Sequence, residues 1–426
     1  MLKEYSQILI DIQKKSRITI HKISDVKNLK NEIQGVTNKN ISFNTLRRLF
    51  GYLPRTTPSQ ATLKILANYL GYTSYSNYLF NKKNYDDWYF KMKMLRLQLS
   101  NKVLTKEQVS LFNFGLDNND NIVSVGSYIS FLIEQNNINS LKVFYKNFNY
   151  EKLSNSNISK LSIIITFGFY KLSDKKILEI YKELIVFDSF RYTGPLFFID
   201  YSNLNGYYMK ALKMIKTLNK SKSDYLFVSI MEFYQKFYAN EKFNNIVVAP
   251  LEDDKKIFPV LKGRYYAYKI LASDQVDAII QKKILKELKL VNPYLFLVEI
   301  VPSLILKESY IFLSILMDKY YEQIFEMDRW SSQSTISNYL IGLANVNIYK
   351  GNLKTAKINL ELIELDKVEL GYTDFLTLFY YLTYIRLYAK ENNKELIVKY
   401  HQKLTTLAES IGYLKFISVS EKYTRL

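Results

Sequence analysis

Glycine and proline are scarce: 13 and 7 of them in 426 residues. Such a chain cannot supply the many tight turns of a β-sandwich or a doubly wound sheet, and it reads as long helices. Hydrophobic residues make up 48% of it, which marks a globular rather than a disordered chain. Its length is enough for one small and one large domain, or for a solenoid. Cysteine is absent, which excludes disulfide frameworks, thiolate metal sites and a cysteine nucleophile. The longest apolar runs, near 161–169 and 294–306, are shorter than the ~18 residues of a membrane span or carry charge. The opening MLKEYSQILIDIQKK has charges between its short apolar runs, unlike a secretory signal. The expectation is a soluble, cytoplasmic, all-α protein with no membrane partner.

The formal net charge is +19. Lys, Asn, Ile, Tyr and Phe are abundant, the usage of an A+T-rich genome, and such chains are often basic without binding anything. The distribution is more telling. Residues 1–84 hold 14 Lys and Arg against 4 Asp and Glu, a net of +10, whereas the remaining residues carry +9. A local basic excess of this size attracts phosphate backbones through counterion release.

The basic segment reads as a series of short helices. Tyr5, Ile8, Leu9 and Ile12 share one helical face. Ser24 is placed to cap a second helix, with Asp25 in its first turn and Val26, Leu29 and Ile33 as its apolar stripe. The run 34–40 reads as a polar turn. Ser42 caps a third helix that turns Leu46, Leu49 and Phe50 inward, and Gly51 stops it. Thr57-Pro58 reads as the start of a fourth helix, which buries Leu63, Leu66, Ala67 and Leu70 and ends at Gly71. On the third helix Asn44, Thr45, Arg47 and Arg48 then face outward. Arginine can donate two hydrogen bonds to guanine, and asparagine pairs similarly with adenine. Lys39, Asn40, Arg55 and Thr56 flank the helix in turns, where donors commonly meet phosphates.

ISFNTLRRLFG followed by PSQATLKILANYLGY resembles the phage-repressor class of helix-turn-helix domains. Ile41, Ser42, Thr45, Leu46, Gly51, Pro58, Ser59, Thr62, Leu63, Ala67, Leu70 and Gly71 fall at matching places. The resemblance covers residues 24–72. It implies double-stranded DNA as partner, residues 42–50 as recognition helix, and base contacts near Phe43, Asn44 and Arg47. The DNA-contact set so defined is Lys39, Asn40, Ser42, Phe43, Asn44, Thr45, Arg47, Arg48, Arg55 and Thr56. The turn before Ile41, about seven residues as read here, is longer than the three or four usual in the motif.

Residues 1–84 are therefore taken as one domain and 85–426 as another. The second repeats one theme, an aromatic-rich helix, a polar turn and a more polar helix. Turns fall at Asn136-Asn137, Ser173-Asp174, Ala239-Asn240, Ser273-Asp274, Lys350-Gly351-Asn352 and Glu391-Asn392-Asn393. Two of the spacings are roughly double the others, so two turns are hidden, one of them around 201–206. Residues 339–365, with Leu343-Ala344, Gly351, Ala356 and Leu360, resemble a tetratricopeptide unit, and 374–407 resemble one less closely. This resemblance implies stacked helical hairpins with a concave groove suited to an extended peptide or helix. Residues 411–418 read as a capping helix. Aromatics beside basic residues, as in Phe144-Tyr145-Lys146, Tyr234-Gln235-Lys236 and Arg264-Tyr265-Tyr266, suit either a helical core or single-stranded nucleic acid, and the core is the commoner use.

Enzyme chemistry finds no footing. There is no Gly-rich phosphate loop, no HExxH and no nucleophile elbow. His21 and His401 are far apart in sequence. Asp86-Asp87 reads as a helix start and Glu252-Asp253-Asp254 as a loop, neither as a metal site. No cofactor is expected. The combined arrangement resembles peptide-responsive transcription regulators of bacteria and phages, which implies a homodimer with a peptide or protein ligand in the repeat groove. The alternative is a helical scaffold that binds a protein partner and keeps its amino-terminal helices as a packed cap.

Overall fold

The computed structural model describes residues 5–54, 56–100, 103–115, 119–218, 221–243, 246, 248–251, 259–325 and 333–424. Among them every regular element is helical and no strand occurs. The chain divides into two compact units, 1–96 and 97–426. The boundary expected at 84/85 falls inside a helix, because Asp86-Asp87 lies within a continuous run from Tyr75 to Leu99 rather than at a helix start. The Glu252-Asp253-Asp254 loop lies outside the described residues.

The first unit contains α1 (Ser6–Ser16), α2 (Ile23–Thr37), α3 (Phe43–Leu49), α4 (Gln60–Leu70) and the start of α5 (Tyr75–Leu99). Its core joins Ile8 and Ile12 of α1, Val26, Leu29 and Ile33 of α2, Leu46 of α3 and Leu66 and Ala67 of α4. Each set recurs at helical spacing, so each helix buries one stripe. Two buried phenols tie the helices together. The Tyr69 hydroxyl donates to Glu32, and that of Tyr78 donates to Asp11 at 2.8 Å. Burial, then the neighbouring carboxylate, pushes both phenols well above their ordinary range.

Three local expectations are corrected. The second helix begins one residue before Ser24. Its cap is made by Asp25, whose carboxylate accepts from the backbone N–H of His21 (3.0 Å) and Lys22 (2.9 Å). An ionised acceptor satisfies two free backbone donors at once, which outcompetes a serine hydroxyl. The helix also runs on to Thr37 through the polar residues read as a turn. Its end is Asn38 at φ 53°, so the connection to α3 is the five residues 38–42. The fourth helix is capped by Ser59 rather than Thr57-Pro58; the Ser59 hydroxyl accepts from Thr62 N–H at 3.2 Å. Ser42 does the same for Thr45 N–H at 3.0 Å. Both starts are S-x-x-T, and in each the two hydroxyls also bond one another.

In the second unit alternate helices stack. One row is Lys106–Gly115, Ile138–Asn147, Asp174–Leu184 and Tyr207–Leu218, each touching the next. A second row is Pro259–Ala272, Pro293–Leu306, Gln333–Tyr349 and Leu370–Lys390. Contact there is close: a Cβ added at Gly263 would lie 2.4 Å from the Phe296 carbonyl oxygen. All six expected turns fall at helix breaks. Asn136, Asn240 and Asn392 take the left-handed conformation in them, which asparagine tolerates better than most residues. The final helix is Lys415–Thr424, starting later than the expected 411–418, because Gly412 at φ 75° ends the preceding helix there. Phe144, Tyr145, Tyr234, Tyr265 and Tyr266 are all buried, which makes these aromatics core.

Residues 194–205 of the same chain pack against the second row. Tyr201 stacks on Phe375 of the fourth helix, with ring centroids 4.1 Å apart. Its hydroxyl donates to Glu299 of the second helix at 2.8 Å, and Glu299 accepts from Arg264 of the first at 3.1 Å. The Arg264 guanidinium also donates to the carbonyls of Leu196 (2.9 Å) and Phe197. These contacts tie residues 194–205 to the first, second and fourth helices of this row.

Candidate nucleic-acid interface

Leu46 is the buried anchor of α3, with Phe43, Leu49 and Phe50 packed half-buried against the same core. The opposite edge carries Asn44, which is exposed, and Arg47 and Arg48, which are half-buried rather than fully exposed as expected. The reason for Arg47 is local. Its guanidinium lies over the Phe43 ring at 5.6 Å, which covers part of the side chain. One amino group reaches the Asn44 side-chain oxygen at 3.4 Å, a long contact, and its Nε is buried without a hydrogen-bond partner. Arg48 makes no side-chain hydrogen bond or ion pair.

The other expected contact residues divide into two kinds. Ser42 and Thr45 are engaged with each other at the cap, so their first role is to start the helix. Lys39, Asn40 and Thr56 are exposed in the flanking turns. The Lys39 ammonium donates to Asn68 of α4 at 3.1 Å, which brings it to the end of that helix. Arg55 lies outside the described residues.

A further signal lies in what is missing. No Asp or Glu occurs from residue 33 through 85, a stretch that includes all of α3 and α4. Inside it are Lys39, Arg47, Arg48, Arg55, Lys64, Lys82 and Lys83. Lys64, exposed on α4, was not singled out from the motif and lies in the same carboxylate-free stretch. Lys82 pairs with Asp11 at 3.7 Å, and for the others a stretch without carboxylates of its own leaves few local anions to compete with a phosphate.

His401 bonds Ser420 at 3.0 Å, and His21 lies in the other unit. Among the described residues no group of three or more His, Cys, Asp or Glu is placed to hold a metal ion, and no helix is long and apolar enough to cross a membrane. No protein-family model, curated protein or solved structure matches this chain.

Proposed function

We propose that this protein is a DNA-binding transcriptional regulator. The first unit reads duplex DNA with α3, and the helical-repeat second unit dimerises, binds a peptide or protein signal, or both. The observation that carries this reading is the edge formed by Asn44, Arg47 and Arg48 on a capped, core-anchored helix, within a stretch that contains no carboxylate. A helix presented this way fits the major groove. Arg47 would read guanine and Asn44 adenine, exchanging their long mutual contact for base edges. Lys39, Asn40 and Thr56, with Arg55 and Lys64, would meet phosphates and set the register. A dimer would place two such helices on half-sites, and a signal would act by shifting the population of dimers able to do so.

The test is selection from a pooled duplex library with the full-length protein, followed by affinity at two salt concentrations. An enriched motif with steep salt dependence is the expected result. Absence of duplex binding at low salt would defeat the proposal.

A further inference from the structure

The second unit contains a partly open cavity of about 330 Å³. This lies near the lower end of ordinary ligand pockets, a size suited to a small molecule or one side chain rather than a whole peptide. Its walls come from residues 165–172, the first-row helices Asp174–Leu184 and Tyr207–Leu218, residues 190–203, and the start of Leu370–Lys390. In a chain of net charge +19, no lysine or arginine lines it. Two of its carboxylates are Asp200 and Asp374.

Asp200 accepts from the Tyr207 hydroxyl and from the Asn203 amide at 3.0 Å. Asp374 is half-buried and has no hydrogen-bond or ion-pair partner among the described residues. Tyr181 is buried to 6% exposure, and its hydroxyl has no hydrogen-bond partner. Tyr181 lines the cavity, and its hydroxyl lies close enough to Asp200 for that carboxylate to act on it. Aromatic rings of Phe169, Phe190 and Phe198 line the same space. Burial, together with the charge of Asp374, raises the Asp200 carboxyl above its ordinary range. Two carboxylates that repel one another across a partly apolar cavity are relieved by a cation placed between them.

We propose that this cavity binds a small organic cation, a primary alkylammonium group. Its N–H donors meet the free Asp374 carboxylate and the Tyr181 hydroxyl oxygen, with Asp200 adding charge and the rings facing the alkyl chain and the cation. A metal ion is a poorer fit, because the acids do not converge into a ligand set among the described residues. The ammonium could belong to a free amine or to a lysine side chain of a peptide. The site stands whether or not the first unit reads DNA. An occupant would contact both the first row and Leu370–Lys390, and so would hold together elements far apart in sequence.

Asp374→Asn and Tyr181→Phe are suited to test this, since neither removes a hydrogen bond seen in the structure. The full-length protein is titrated calorimetrically with 1,4-diaminobutane and with Nα-acetyl-lysine methylamide. The Nε-acetylated form of the latter serves as the neutral control, and circular dichroism checks folding. Saturable binding of either ammonium probe is expected. Asp374→Asn should weaken it about tenfold and Tyr181→Phe about threefold, as loss of a charged and of a neutral hydrogen bond would. Binding of the diamine indicates a free amine as ligand, and binding of the lysine probe alone indicates a peptide-borne one. The proposal is overturned if neither probe binds, if the neutral control binds as tightly, or if both variants fold and bind as the wild type does.

Discussion

The two units use arginine in opposite ways. In the second, Arg191, Arg264 and Arg386 are buried and their donors are engaged. Arg191 bonds Asp224 (2.9 Å), the Ile185 carbonyl (2.8 Å) and Asp188 (2.7 Å). Arg386 bonds Asn345 (2.9 Å), the Ile305 carbonyl (3.1 Å), Glu308 (3.2 Å) and the Tyr423 hydroxyl (3.2 Å). In the first unit, Arg48 has no partner and Arg47 has one contact at 3.4 Å. A guanidinium is stable inside a protein only when its fork of donors is satisfied, so the buried three work as brackets between distant segments. The α3 pair is held by far fewer bonds within the molecule.

The sharpest way to break this contrast is Arg264→Met. It leaves Glu299 as an uncompensated buried charge and frees the carbonyls of Leu196 and Phe197. A loss of about 3–5 kcal/mol is expected in chemical denaturation. Removing Glu299 as well should recover part of that loss, because the isolated charge is what costs most. If Arg264→Met costs no more than a surface substitution, the bracket account is wrong.

On the DNA-reading proposal, Arg47→Ala comes next, with discrimination at one base pair falling by about 1–3 kcal/mol. Because Arg47 also covers Phe43, a stability loss of about 0.5–1 kcal/mol should accompany it. Affinity for selected and scrambled duplexes, measured beside thermal unfolding, separates the two effects. Unchanged discrimination would remove α3 as the reading element.

Ser42→Ala tests whether this hydroxyl is structural. It should destabilise the first unit by about 1 kcal/mol through loss of the cap. At protein concentrations where the unit stays folded, duplex discrimination should be retained. Lost discrimination in a folded variant would return Ser42 to the contact set.

The smallest expected effect is that of Lys39→Ala. All duplexes should weaken alike, and the slope of log affinity against log salt should fall by about 1, as one phosphate contact is lost. A sequence-dependent change would mean that Lys39 reads a base or positions Asn68.

Much of the fold was legible because its signals are local. Ser42 four residues before Leu46, and Gly51 and Gly71 at φ 81° and 100°, mark their helix ends within a single turn. Asparagines at 136, 240 and 392 mark turns for the same reason. The hidden turn between 274 and 351 is Lys307-Glu308-Ser309, where Glu308 takes φ 53°. Glutamate has no preference for that conformation, so nothing in the sequence flagged it. The start of α2 was misplaced because a serine and an aspartate competed for one cap, and the outcome depended on which side chain reached the free N–H groups.

The candidate interface was legible in part. The outward placement of Asn44, Arg47 and Arg48 follows from the period of Leu46, Leu49 and Phe50. The partial burial of Arg47 does not, because it depends on the direction of the Phe43 ring. By itself the sequence determined the helical class, most helix ends and the basic character of the first unit, since capping, apolar period and charge act over a few residues or by simple sum. Only the tertiary structure decided that Arg264 lies inside, that residues 194–205 pack against helices of the second row, and that Asp200 and Asp374 share a cavity. Each of these joins groups remote along the chain, such as the Arg264 guanidinium and a carbonyl 68 residues before it. Burial of such polar groups becomes tolerable only after the fold has brought their partners together.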